Sequence, residues 1–278
     1  FFTFLEKNTK QKKSVSTRIL LTSHAFKNYQ VMFTNIQILS FFLIASALRV
    51  SSFLATPFLS PKSIRSNQLK MSATETLRLA PEETALVLIE FQNEFTTEGG
   101  ALYDAVKDCI DATGTIKNAK NVMDNARAAG CTIIHVPIAF EKGHKEISSK
   151  PYGILAAIKD GETFKSGEWG SDFCDEMKPA EGDIVCKGKG GLCGFASTNL
   201  DFLLRQNGIK NVVLGGFLTN CCIESTMRSG YELGYQVYTM KDCCAATSIA
   251  AQEAAYEHTF GMFSVPTTSS EIIAAVSK

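Results

Sequence analysis

One cysteine lies where a strand is expected to end and a helix to begin. Cys222 follows the apolar run 212–214 and two glycines, and small residues at helical spacing come after it. We expect Thr219 to cap this helix by accepting the Cys222 amide. In a first turn, unpaired amides and the helix dipole favour an anion, so the thiol should ionise readily and act as a nucleophile. The alternative is a small buried residue, a role that Cys221 would fill equally well.

A carboxylate and lysines also follow apolar runs. Glu90 comes directly after residues 85–89, where a buried carboxylate costs free energy unless it is paired. Lys187 and Lys189 come after residues 183–186, in a glycine-rich segment without the placement of a phosphate loop. We therefore expect a carboxylate, a lysine and a cysteine to converge from three separate strands.

The elements that would position these residues alternate along the chain. The pattern predicts strands at 85–89, 131–136, 183–186, 211–214, 236–240 and 262–264, and helices at 105–129, 197–206, after Cys222, at 249–258 and at 270–276. Residues 138–181 are expected to be irregular. Largely apolar strands that alternate with helices indicate a doubly wound, Rossmann-like α/β fold, with a mostly parallel sheet of about six strands and helices on both faces. In such sheets the site lies at the carboxyl ends of the strands.

Charge and cysteine content exclude several classes of protein. The 278 residues have zero formal net charge, but from Ser72 to Lys278 there are 18 basic and 27 acidic residues. An acidic body argues against nucleic acid as a partner. The cysteines number nine, with neither CxxC nor Cys/His metal spacing, so a disulfide framework and a zinc site are both unsupported.

The N-terminal residues 1–71 are expected to lie outside the folded domain, which should cover residues 72–278. A mostly apolar run at 36–48 is too short to cross a bilayer comfortably and contains Ala45-Ser46-Ala47. A basic, serine-rich stretch without acids follows it. This order resembles a two-part signal and transit peptide for a plastid. The alternative is that Met71 is the true start and that the protein is cytoplasmic. No stable membrane anchor is expected.

Three ordered segments carry a resemblance to a known family. They are Leu-Ile-Glu-Phe-Gln-Asn-Glu-Phe at 88–95, Lys189 followed by Phe195-x-x-Thr198-x-Leu200, and Gly216-x-x-Thr219-x-x-Cys222-x-x-x-Thr226. Together they resemble the signatures of the isochorismatase-like cysteine hydrolases, over about residues 80–265. The resemblance implies a triad of Glu90, Lys189 and Cys222, although Glu90 stands where the family usually has aspartate.

The resemblance also implies a chemistry. The carboxylate takes the thiol proton, the lysine holds carboxylate and thiolate in place, and the thiolate attacks a carbonyl to form an acyl-enzyme. A cis peptide between Phe217 and Leu218 would turn the amides of Leu218 and Cys222 toward the developing oxyanion.

The same resemblance allows the residues after the second strand to be compared with the metal ligands of the family. In its metal-using nicotinamidase branch an Asp-x-His follows the second strand, but here the matching residues are Ile138, Ala139 and Phe140. We therefore expect no metal and no cofactor.

Candidate substrate-binding residues are Gln92, Phe95 and Trp169.

Three functions stay open at this point. The favoured one is a cysteine hydrolase, expected to be a homo-oligomer, that cleaves a C–N bond of a small amide or ureido compound. Hydrolysis of an isochorismate-like vinyl ether, which in the family does not use the cysteine, is a second. A catalytically silent binding protein of the same fold, for which Glu90 is the one hint, is the third.

Overall fold

The computed structural model describes residues 77–277, which form a six-stranded, fully parallel sheet. The strands are β1 (Thr84–Ile89), β2 (Thr132–Val136), β3 (Ile184–Val185), β4 (Asn211–Phe217), β5 (Gln236–Ala245) and β6 (Val265–Thr267). Their order is β3-β2-β1-β4-β5-β6, and all pairs are parallel. The chain thus winds outward in both directions from β1 and β4, which confirms the doubly wound fold.

Eight helices accompany the sheet within residues 77–277. They are α1 (Asn93–Thr96), α2 (Tyr103–Thr113), α3 (Thr115–Ala129), α4 (Ile154–Asp160), α5 (Leu200–Gln206), α6 (Glu224–Glu232), α7 (Ile249–Ala255) and α8 (Ser269–Val276). Turns of 3-10 helix lie at Pro81–Glu83, Trp169–Ser171 and Asp175–Met177, a helical turn lies at Gly261–Phe263, and π-helical turns lie at Thr219–Ile223 and Tyr256–Phe260. No helix in this part of the chain combines the length and apolarity that crossing a bilayer needs.

Side chains of β1 enter two cores, one on each face of the sheet. Leu86 and Leu88 pack in a core that includes residues of α2, α3 and α8. Val87 and Ile89 pack in the other core with residues of α5, α6 and α7. Strands buried on both faces need continuous apolar sequence, which is why residues 85–89 contain no polar side chain.

Several predicted boundaries were wrong. The single helix expected at 105–129 is two helices, because Gly114 adopts a left-handed conformation with φ 68° and ends the first. The last strand is Val265–Thr267 rather than 262–264, since Gly261–Phe263 continues the preceding helical turns. The segment expected to be irregular contains α4. The predictions for residues 1–71 lie outside the described residues.

Candidate active site

A buried ion pair joins the ends of two strands. Nζ of Lys189, which follows β3, donates to Oε1 of Glu90, which follows β1, and also to the carbonyl of Gly191 at 2.5 Å. The side chains are 0% and 2% exposed, respectively. Burial lowers the pKa of Lys189, but the negative charge of Glu90 and the hydrogen bond to it outweigh burial and raise that pKa, so the ammonium stays charged. Lys187, by contrast, is exposed.

The backbone of Glu90 is unusual for a residue with a side chain. Its φ is 58°, in the left-handed region that non-glycine residues seldom adopt. Its amide donates to the Val136 carbonyl at 3.1 Å, and its own carbonyl accepts the Gln92 amide at 2.8 Å. Surrounding contacts must hold such a conformation against its cost, and conformations of this kind cluster at functional sites. The acid is therefore fixed in position by its backbone as well as by Lys189.

Cys222 lies in a tight turn between β4 and α6. The turn, Thr219–Ile223, is π-helical with a kink at Asn220. The amides of Cys221 and Ile223 both donate to the Leu218 carbonyl, at 3.1 and 3.2 Å. The expectation that Thr219 caps a helix was wrong, because its hydroxyl donates instead to Oε1 of Gln252 at 3.0 Å.

The environment of Cys222 does not make its thiol more acidic. A hydrogen bond with the Cys221 thiol, burial and the negative charge of Glu90 raise the pKa of Cys222 well above its ordinary value, and the Lys189 ammonium offsets this in part. Burial and the neighbouring carboxylate therefore oppose the ready ionisation of Cys222 that was expected from the backbone amides. Attack by this sulfur would need a base that removes its proton.

Glycine permits the close approach of the two central strands. Gly216 of β4 pairs with Ile89 of β1, and a Cβ at this position would lie 1.9 Å from the Ile89 carbonyl oxygen. With φ at 136° the position is also unfavourable for other residues. The next peptide bond, between Phe217 and Leu218, is cis, as the family resemblance implied. The residues that follow both strands are thereby brought to one place.

A small cavity opens onto the thiol and the carboxylate. It has a volume of about 120 Å³, and both Glu90 and Cys222 line it. Its other walls are mostly apolar, with Phe95, Val106, Ile138, Ile158, Phe164 and Leu218 among the lining residues, and they also include Thr163 and Thr247. Phe95 stacks on Phe217 with ring centroids 5.3 Å apart and packs against Phe164 at 5.4 Å. Phe95 thus lines the same cavity as the candidate nucleophile Cys222.

The structure does not bring Gln92 to this cavity. Its side chain is fully buried, and Nε2 donates to the carbonyls of Ile138 and Ser171 at 2.8 and 2.7 Å. Its Oε1 accepts the Ile138 amide at 2.9 Å. Because these bonds use the polar atoms of the amide, Gln92 fastens the long segment between β2 and β3 to the end of β1 and does not face a substrate.

Trp169 is also away from the cavity. Its side chain is 51% exposed and lines a separate open groove beside Phe173 and several carboxylates. Residues that sequence reasoning did not single out, Ile158 and Phe164, form the wall instead. The run Ile-Leu-Ala-Ala-Ile at 154–158, preceded by a glycine, was a signal for the helix that carries part of this wall.

A buried glutamine supports the turn that carries Cys222. Oε1 of Gln252 accepts the Thr219 hydroxyl and the Ala246 amide, at 3.0 and 2.8 Å, and its Nε2 donates to the Cys244 carbonyl at 3.2 Å. Gln252 is 2% exposed and belongs to α7. The network ties the start of the cysteine turn to the end of β5. No local sequence pattern indicates a contact that spans 33 residues.

Residues 138–140, which follow β2, offer no side chains that can bind a metal ion. Ile138 and Phe140 are buried apolar side chains, and Ala139 lies between them. Within residues 77–277, no group of three or more His, Cys, Asp or Glu side chains is arranged to hold an ion.

The sequence of this chain matches a known protein family and several of its members. Residues 84–271 match the family model of the isochorismatase domain. The chain is 35% identical over 205 residues to a ureidoacrylate amidohydrolase of Rhizobium rhizogenes, covering 69% of this chain and 82% of the relative. It is 36% identical over 179 residues to the enzyme of the same name from Agrobacterium fabrum, covering 60% of this chain and 78% of the relative.

Solved structures agree with the fold. A cysteine hydrolase of Pseudomonas syringae superposes with a TM-score of 0.64 at 23% identity, covering 74% of this chain and 98% of the other. The N-carbamoylsarcosine amidase of Thermoplasma acidophilum has a TM-score of 0.54 at 26% identity, with 67% of this chain and 96% of the other covered.

Proposed function

This chain belongs to the isochorismatase-like hydrolase family, and we propose that it hydrolyses a C–N bond of a small amide or ureido compound through a thioester on Cys222. The observation that carries the proposal is that Glu90 and Cys222 line one cavity, with Lys189 paired to Glu90. The names of the relatives, a ureidoacrylate amidohydrolase and an N-carbamoylsarcosine amidase, support an amidohydrolase and suggest the ureido or amide group.

Proton transfer comes first in the proposed reaction. The Cys222 thiol keeps its proton because its pKa is raised, so a general base is needed as the sulfur attacks. Glu90 takes that proton, and Lys189 holds the carboxylate in place and balances the charge that forms on sulfur. The thiolate then forms a C–S bond to the carbonyl carbon, whose oxygen becomes an oxyanion.

The leaving nitrogen and a water molecule complete the cycle. The C–N bond breaks as the leaving nitrogen receives the proton from Glu90, which releases ammonia or an amine and leaves a thioester. Water, deprotonated by Glu90, then attacks the thioester, releasing the acid and the free thiol. We assign the amides of Leu218 and Cys222 to the oxyanion in both steps, where fixed donors stabilise developing charge.

The experiment measures ammonia release from a panel of primary amides and monosubstituted ureas. We expect turnover by the wild-type chain, none by Cys222→Ala, and most of the wild-type rate by the matched control Cys221→Ala. Stoichiometric trapping of the acyl group by hydroxylamine should occur with the wild type and not with Cys222→Ala. Absence of turnover across the panel, with Cys222 still open to alkylation, would favour a silent binding protein.

Cys221 also gives a sharper test of the thiol assignment. Its hydrogen bond with Cys222 is the first cause of the raised pKa of Cys222 and of a lowered pKa at Cys221 itself. Alkylation followed by peptide mapping should therefore show Cys222 reacting at lower pH in Cys221→Ala than in the wild type. An unchanged or reversed pH dependence would show that the hydrogen bond with Cys221 is not what raises the pKa of Cys222.

A further inference from the structure

Within residues 77–277, no lysine, arginine or histidine lines the cavity beside Cys222. Among these described residues, the one charged side chain of the lining is the carboxylate of Glu90. The inner walls are mostly aromatic and aliphatic, and two neutral threonines, Thr163 and Thr247, also line the cavity. A negatively charged group inside this space would lose its water and gain no opposite charge, which is unfavourable.

Two lysines close to these walls, Lys189 and Lys159, are already bound. The ammonium of Lys189 is fully buried and donates to Glu90 and to the Gly191 carbonyl. Lys159, next to the wall residue Ile158, donates from Nζ to the carbonyls of Ile147 and Ser148, both at 3.0 Å. Neither ammonium is free to meet a substrate carboxylate without breaking bonds that the fold already uses.

The size of the cavity restricts the substrate further. At about 120 Å³ it is much smaller than the roughly 300 to 1,000 Å³ of sites that hold drug-sized ligands. The acyl or ureido substituent that enters must therefore be short as well as apolar.

From the lining, the bound lysines and the volume we infer that the substrate is an uncharged amide or urea with a short aliphatic substituent, and not a ureido acid or an amide bearing a carboxylate. The inference rests on the proposed function, because it concerns the same thiol and carboxylate. It distinguishes this chain from an enzyme whose substrate carries an acid group, since a cation in the pocket gives such a substrate its strongest hydrogen bonds.

Isosteric pairs of substrates test this directly. 4-Methylpentanamide and succinamate differ in an isopropyl group against a carboxylate, and isopentylurea and 3-ureidopropanoate form the corresponding ureido pair. We expect kcat/KM to favour the neutral member of each pair by about 100-fold or more, as for a charge buried without a partner. A wild-type chain that prefers succinamate or 3-ureidopropanoate overturns the inference and leaves the hydrolase assignment intact.

A variant at the mouth of the cavity provides the second arm. Ile154 lines the cavity and is 37% exposed, so a charged side chain there can keep part of its hydration. Ile154→Lys should raise the ratio of kcat/KM for succinamate over 4-methylpentanamide by about tenfold, the effect of one partly solvated opposite charge. Ile154→Met, which has no charge, should leave the ratio as in the wild type.

The two experiments distinguish failure of this inference from failure of the proposed function. If Ile154→Lys and Ile154→Met give the same ratio, the absence of a cation does not determine selectivity and the inference falls. If none of the four compounds is hydrolysed by the wild type, while other amides of the panel also fail, the proposed function falls first.

Discussion

Lys189 donates a hydrogen bond to Glu90 in the interior of the protein, although the family resemblance implied the shorter aspartate at this position. Neither side chain is more than 2% exposed. The additional methylene therefore does not prevent the ion pair. The pair forms with the backbone of Glu90 in the left-handed conformation. A carboxylate held in this way can accept a proton from a neighbouring thiol without first moving.

Removing the charge of Glu90 should reduce turnover. Glu90→Gln cannot accept the thiol proton, so we expect kcat to fall by about 100-fold or more. Glu90→Asp keeps the charge but withdraws it by one bond length, and it should retain more activity than Glu90→Gln. Steady-state kinetics at saturating amide measure both. Wild-type turnover in Glu90→Gln would contradict the role of this residue as a base.

Gln252 should affect the reactivity of Cys222 without touching it. Gln252→Leu leaves the Thr219 hydroxyl and the Ala246 amide without their acceptor, so the free energy of unfolding should fall by about 2 kcal/mol or more. The rate of Cys222 alkylation at fixed pH should change as well, because the turn loses its support.

Ser248→Ala is the matched control for Gln252. It removes a cap from the same helix, where the Ser248 hydroxyl oxygen accepts the Ala251 amide at 3.2 Å, at a cost of about 1 kcal/mol. We expect urea unfolding to register both variants, but only Gln252→Leu to alter alkylation. If both change the alkylation rate equally, Gln252 acts through general stability alone.

Stability should decline on mild acidification because of His135. Burial lowers the pKa of this ring, against the effect of Asp183, whose Oδ2 lies 3.2 Å from Nε2 of His135. The Arg127 guanidinium, which donates to the same carboxylate at 2.7 Å, also lowers it. The unfolded chain therefore binds the proton first, and stability is lost as the pH falls below about 6.5, the ordinary value for histidine.

Urea unfolding at pH 7.5 and pH 5 tests this dependence. His135→Gln, which does not titrate, should show a smaller loss than the wild type. The pKa of the Asp183 carboxyl is also lowered, so its contribution is present above the ordinary value of about 4 and is lost at more acidic pH, outside this interval. An equal loss in both proteins would assign the dependence to other groups.

Activity should survive dialysis against a chelator. The positions after β2 that would supply ligands in a metal-using relative are Ile138, Ala139 and Phe140, and apolar side chains do not coordinate a divalent ion. Ammonia release before and after exhaustive dialysis measures this. Loss of activity that zinc or iron restores would contradict the prediction.

The acid, the lysine and the thiol could be predicted to meet because each lies beyond the end of a predicted strand, and the family resemblance selected Lys189 over Lys187. Residues at the ends of parallel strands meet at one edge whatever the loops do, so Glu90, Lys189 and the turn of Cys222 follow from the order of elements. Thr219 was wrongly predicted to cap a helix, because Gln252, which is distant in sequence, offers its hydroxyl a buried acceptor. Contacts of that range leave no local pattern.

Side chains that belong to the long segment between β2 and β3, or that contact it, were harder to place. Trp169 belongs to this segment and Gln92 bonds to it, so only the course of residues 137–183 decides where both side chains point. The groups that raise the pKa of Cys222 were also not predictable, because the positions of Glu90 and the Cys221 thiol relative to its sulfur depend on the kinked turn.

The cavity is built from parts of the chain that can vary independently. Glu90 and Cys222 extend from the central strands, whose close approach at Gly216 tolerates little change, whereas Ile154, Ile158 and Phe164 come from the segment after β2. Substitution in that segment reshapes the wall without moving the acid or the sulfur. Descendants of such a gene can therefore acquire new substrates through drift in one stretch of about 45 codons, while selection preserves the reaction itself.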